Sequence, residues 1–217
     1  MDQQAHSKIS ASLWLDRTTH SFSSSQAPKL NLTLLLDYHE PITIYADILS
    51  PSQMLTCGAF AIHYCSSGAE VRQNLRTLCR IPPPTKVPVN LKESLFYTLT
   101  PYEPLTLSAP FTRKPKGAKP RAASDPAYLG DRSARHGSYG VDGLEPGYDY
   151  VLSLAGQPRM FWNHVRWWEY GTKDDVLHPN GAANELNARK VKFSPGPHER
   201  IEIDTSSLQP IKFRCEE

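Results

Sequence analysis

Hydrophobic positions recur every second residue in short runs along this chain, and clusters of Pro, Gly and Ser separate the runs. At 29–36, Leu30, Leu32 and Leu34 fall on one side of an extended backbone while Asn31 and Thr33 fall on the other, the pattern of a half-buried strand. The run at 41–48 repeats it with Ile42, Ile44, Ala46 and Ile48, and the short gap predicts a hairpin between the two. Further strands are predicted at 12–17, at 58–64 with Phe60 and Ile62 inward, at 95–107 as strand, turn and strand, and at 150–154. Three more, at 189–193, 200–204 and 210–214, alternate charged with apolar residues and so present one wet face. The turn Ser66-Ser-Gly68 predicts a second hairpin, into 69–73.

Proline reinforces this picture. The chain has 19 prolines in 217 residues, where the usual share is about 5%, and many fall between apolar runs, which helices tolerate badly. Between 75 and 92, Pro82-Pro-Pro84 lacks ladder donors and predicts an exposed connector rather than a central strand. A partner that reads polyproline is the sharper alternative, but one short run does not make a ligand series.

The most informative stretch is Leu144-Glu-Pro-Gly-Tyr-Asp-Tyr150, with Leu152 and Leu154 continuing the alternation. A Tyr placed after such a turn buries its ring between two sheets and returns its hydroxyl to upstream backbone, a tyrosine corner. The fold class predicted is therefore all-β: an antiparallel sandwich of the immunoglobulin or fibronectin III kind, with long loops and at most short helical turns. One such turn is placed within 169–177, with Gly171 breaking the run. Leu99-Thr-Pro101 repeats the punctuation before Tyr150 and predicts an equivalent corner. Length favours one domain over 1–217, interrupted by a basic insertion at about 112–141.

In that insertion Arg113, Lys114, Lys116, Lys119, Arg121, Arg132 and Arg135 face only Asp125 and Asp131. Its composition reads as a solvated, flexible segment that cannot bury enough surface to order itself. A nucleic-acid arm would need aromatic residues among the charges, and Tyr128 and Tyr139 do not supply a ladder. A net charge of +2 gives no steering toward nucleic acid. The N-terminus has no apolar signal-peptide core, and no run approaches the ~18 apolar residues of a membrane span. A cytoplasmic protein without a span is expected, with Cys57, Cys65, Cys79 and Cys215 as free thiols. Their spacing offers no zinc set, so no metal is expected. Asn31-Leu-Thr33 reads as strand rather than as a glycosylation site.

The stretch Trp167-Trp-Glu-Tyr-Gly-Thr-Lys-Asp-Asp-Val-Leu177, together with Pro41-Ile-Thr-Ile44 and the Leu144 to Tyr150 corner, resembles a group of uncharacterised small proteins of filamentous ascomycete fungi. Those carry a W-W-x-Y-G segment followed by V-L-x-P, and here His178 precedes Pro179. The resemblance implies the β-sandwich and a fungal origin. It implies no activity, cofactor or catalytic residue.

Motifs for nucleotide binding, α/β-hydrolases and zinc proteases are absent from the sequence. What remains is His164, Glu169, Asp174, Asp175 and His178 beside three tryptophans, of which His164, Asp174 and His178 are the catalytic candidates, as acid or base groups. The bland reading makes them surface carboxylates and loop imidazoles. Trp162, Arg166, Trp167, Trp168, Tyr170 and Lys173 are the candidate ligand-binding residues, an aromatic wall with two cations; the competing reading makes the indoles a core plug. The function expected is a binding or interaction module, more non-enzymatic than enzymatic and without a cofactor. Its partner would be an unknown protein or an apolar small molecule. The alternative is a small cofactor-free isomerase or cyclase of secondary metabolism.

Overall fold

The computed structural model describes residues 8–21, 23–24, 26–73, 75, 86–89, 92–112, 141, 143–156, 162–178, 190–192 and 198–217. The first strands in chain order are β1 (Lys8–Leu15), β2 (Thr19–Ser21), β3 (Lys29–Asp37), β4 (Ile42–Tyr45), β5 (Phe60–Tyr64), β6 (Lys86–Pro88) and β7 (Phe96–Leu99). They are followed by β8 (Leu105–Pro110), β9 (Asp149–Leu154), β10 (His164–Val165), β11 (Trp168–Tyr170), β12 (Lys190–Lys192), β13 (Ile201–Asp204) and β14 (Ile211–Glu216). Among the described residues there are also two short helices, α1 (Pro51–Thr56) and α2 (Lys173–Leu177), and a 3-10 turn at Glu93–Leu95.

The strands form an all-β, sandwich-like fold. One sheet has the order β10-β13-β1-β3-β8 and another β2-β14-β9-β5; smaller sheets are β11-β4-β7 and β12-β6. The register of β3 lines up its leucines with apolar partners on both sides. Leu32 lies between Leu13 and Leu107, Leu34 between Ala11 and Leu105, and Leu30 between Leu15 and Ala109. Opposite this face, Ile62, Tyr150, Leu152, Phe213 and Cys215 belong to the same buried cluster. Phe111 meets Phe213 edge-on at 5.1 Å. Each fully buried Leu or Ile contributes about 1.5–3 kcal/mol relative to exposure, so this shared interior is what holds the two large sheets together.

The tyrosine corner forms. Tyr150 is fully buried, its ring stacks on Phe213 at 5.5 Å, and its hydroxyl is bonded to the backbone of Glu145. The second Leu-x-Pro turn is not its equivalent: the residue after Pro101, Tyr102, takes φ 61° and is 67% exposed. There the chain bends over the end of β3, with the Tyr102 N–H donating to the Leu36 carbonyl, and no ring is drawn inside.

Several expected pairings fail for reasons of burial. The strands at 29–37 and 42–45 do not form a hairpin; β3 has β1 and β8 on its two sides, whereas β4 lies between β7 and β11. All four residues of β4 are buried, so it needs cover on both faces. Ile42 and Ile44 join the main core and Tyr45 joins a second cluster with Val89, Phe96, Trp167, Val176 and Leu177. Two ladders are parallel, β1 with β13 and β2 with β14, where antiparallel pairing alone was predicted. The 58–64 strand meets 69–71 through one bridge, His63 to Glu70, rather than a full hairpin. Within the predicted connector, 86–88 pairs with β12 and Val89 is buried.

Helix α1, unpredicted, opens on Pro51 and buries Met54 and Leu55, packing against β8 and β3. Cys57 and Cys215 are free and buried, Cys65 free and exposed. Asn31 is buried in its strand, where its amide donates to Lys29 O and its carbonyl oxygen accepts from Ser108. The insertion at 113–140, Pro82 to Pro84 and Cys79 lie outside the described residues. No helix among the described residues is long and apolar enough to cross a membrane.

Candidate functional site

The tryptophan-rich segment splits its side chains among three surroundings. Trp162 (3% exposed) and Trp168 (8%) pack in the main core, while Trp167 (2%) points the other way into the second cluster. Trp167 meets Phe96 edge-on at 5.2 Å, under α2. The alternation is that of an extended chain, in which neighbours face opposite sides. Helix α2 begins at Thr172, whose hydroxyl accepts from the Asp175 N–H, and is tied to β7 where the Lys173 N–H donates to Thr98 Oγ1 at 2.7 Å. Gly171, at φ 107°, makes the bend between β11 and α2.

Tyr170 stands at the end of β11 and remains 42% exposed. It meets Trp168 edge-on at 5.0 Å, His198 at 5.4 Å and Tyr38 at 5.9 Å. His198 stacks on Trp168 at 4.4 Å, and the Trp168 indole N–H donates to the neighbouring Glu199 carbonyl at 2.6 Å. His39 lies against Tyr38 at 4.2 Å. The Tyr38 phenol is held above the ordinary tyrosine range, chiefly by its hydroxyl interaction with Tyr170 and then by desolvation. The result is a group of rings at the surface with the buried Trp168 as its floor.

Beside it the segments 163–165 and 201–203 run antiparallel. His164 is opposite Glu202 and Val165 opposite Ile201, and the Ile203 N–H donates to the Asn163 carbonyl. Val165 and Ile201 are buried, so His164 and Glu202 point outward. Arg166 follows the Val165–Ile201 rung and Arg200 precedes it, so the two flank the same end of this short ladder, and both are exposed. The imidazole of His164 is held below the usual histidine value, by burial first and then by the charges of Arg200 and Arg166, with Glu202 pulling the other way.

The three catalytic candidates stand apart. His164 is on β10. Asp174 is exposed in the first turn of α2, and His178 closes that helix. His178 Nε2 lies 3.5 Å from Glu93 and Lys173 Nζ lies 3.6 Å from the same carboxylate oxygen, so Glu93 gathers Lys173 and His178 on the flank of the second cluster. Among the described residues no group of three or more His, Cys, Asp and Glu side chains could hold a metal ion.

Of the ligand-binding candidates, Trp168 and Tyr170 come together, Arg166 stands at the bend between β10 and β11, and Trp162, Trp167 and Lys173 belong elsewhere. Tyr38, His39, His198 and Arg200 were missed. Tyr38-His39 beside the turn before Pro41 was a visible cue, but His198 and Arg200 reach the site only through the pairing of β13 with β10. No protein-family profile matches the chain, and no similar curated protein or solved structure was found.

Proposed function

We propose that this protein is a non-enzymatic binding module whose contact surface is the ring cluster of Tyr38, His39, Tyr170 and His198 over Trp168, and that it takes a ligand with a planar apolar group. One observation carries this reading: Tyr170 touches three other rings and is still 42% exposed. Scattered surface aromatics are ordinary, but aromatic rings already fixed by their neighbours lose little freedom on binding and so favour contact. The isomerase or cyclase reading draws less support, because His164, Asp174 and His178 stand on different elements in different surroundings.

Amide nuclear magnetic resonance with planar aromatic fragments, 2-naphthol among them, tests the reading. Amides of 38–39, 168–170 and 198 should shift together, and Tyr170→Ala or Tyr38→Ala should weaken binding about tenfold, the worth of one good ring contact. Fragments that bind only elsewhere, or leave these amides unmoved, would refute it.

A further inference from the structure

Arg166 and Arg200 flank one end of the Val165–Ile201 rung and the charges of both act on His164, so two like charges share this end of the ladder and repel. Natural surfaces usually relieve that with a carboxylate. Here neither Arg166 nor Arg200 has a carboxylate within ion-pair distance among the described residues. Glu202, one rung away, faces His164 instead. Nor is the pair spread along a mobile loop: Val165 and Ile201, buried beneath, hold the two backbones in register. The arrangement is a concentration of positive charge on two exposed side chains, with no carboxylate among the described residues paired to either.

We propose that Arg166, Arg200 and His164 form a binding site for a tetrahedral oxyanion of the phosphate type. Guanidinium groups grip oxyanions through paired, charge-assisted N–H bonds. Two forks and an imidazole present more donors than the two oxygens of a carboxylate can use, and a phosphate group supplies three free oxygens and up to two charges. The site adjoins the ring cluster through residues 198–200, because His198 stacks on Trp168 while Arg200 immediately precedes Ile201, the partner of Val165. It thus specifies the ligand of the binding module further, as an aromatic molecule bearing a phosphate or sulfate ester, and in that wider sense rests on the module reading. The oxyanion site itself does not.

The test follows the His164 imidazole C–H resonances through pH titrations of the whole chain, in chloride and then in inorganic phosphate, sulfate or acetate at matched ionic strength. Phosphate and sulfate should raise the pH at which His164 titrates, because the bound anion offsets the two arginine charges, and acetate should do so least. Arg166→Gln and Arg200→Gln change exposed side chains, and the amide spectrum reports whether each variant is folded. Each should weaken phosphate binding about tenfold, the scale of one charge-assisted contact. A His164 titration equal in chloride and phosphate would overturn the proposal, as would an undiminished phosphate effect in the double variant. Phenyl phosphate separates the two readings. Binding tighter than inorganic phosphate, and dependent on Tyr170, supports a joined site; binding no tighter than inorganic phosphate removes the aromatic half and leaves the oxyanion half standing.

Discussion

The hydroxyl of Tyr150 exchanges two hydrogen bonds with a single residue, donating to the Glu145 carbonyl at 3.1 Å and accepting from the Glu145 N–H at 2.9 Å. That closes the turn before β9 onto a ring packed between Phe213 and Tyr64. Tyr150→Phe keeps the buried ring and removes both bonds. It should lower stability by about 1–3 kcal/mol, seen in urea unfolding as a lower midpoint with an unchanged slope. An unchanged midpoint would mean the turn is held by packing alone.

The same phenol sets an alkaline limit. Burial pushes its pKa up to about 12, with the Glu145 backbone hydrogen bond pulling it down. Between the unfolded value of 10.0 and about 12 the folded state keeps a proton that the unfolded state has released. Stability is therefore intact below pH 10 and falls as pH rises through that window. Urea midpoints at pH 9 and pH 11 should diverge for the native sequence, and less so for Tyr150→Phe.

His164 sets a limit on the acid side. Its folded pKa lies below the ordinary value of 6.5, so as pH falls below 6.5 the unfolded state takes up the proton first and stability declines toward the folded pKa. His164→Gln should flatten this part of the stability profile. Arg200→Gln, by removing a nearby like charge, should move the His164 titration to higher pH in chloride; an unmoved resonance would show that the guanidinium is not felt there.

Gly171 is a third point of sensitivity. At φ 107° a side chain is strained, and a Cβ there would come within 3.3 Å of Val176 Cγ2. Gly171→Ala should cost about 1–3 kcal/mol and shift α2 against β7, visible as faster hydrogen exchange at the Lys173 amide that Thr98 accepts. Thr43→Val, which removes only the hydroxyl donating to the Gly171 carbonyl at 2.9 Å, should cost about 1 kcal/mol. Equal exchange rates in both variants would place the bend's support elsewhere.

Much of the strand inventory was legible because a strand's side-chain period is local: Leu30, Leu32 and Leu34 announce their common face whatever lies across from them. The corner at Tyr150 was legible for a related reason, since its turn and ring are separated by only a few residues. The pairing of β4 was not. Ile42 and Ile44 alternate as a half-buried strand would, but the buried positions between and after them, Thr43 and Tyr45, declare nothing until Trp167, Phe96 and α2 cover them. The tryptophans were ambiguous in the same way: adjacent residues, Trp168 and Trp167, send one indole into the main core and the other into the second cluster, and both look alike as letters.

By itself the amino-acid order determined that this chain builds β-structure, where most strands run, and that Tyr150 anchors a turn, because alternation and turn chemistry act between residues close in the chain. Only the tertiary structure decided which strands are neighbours. It alone brings Tyr38 to Tyr170 and pairs Val165 with Ile201, which puts Arg166 and Arg200 at one end of the same ladder. Such juxtapositions depend on the burial of apolar faces far apart in sequence, and that burial is a property of the assembled whole.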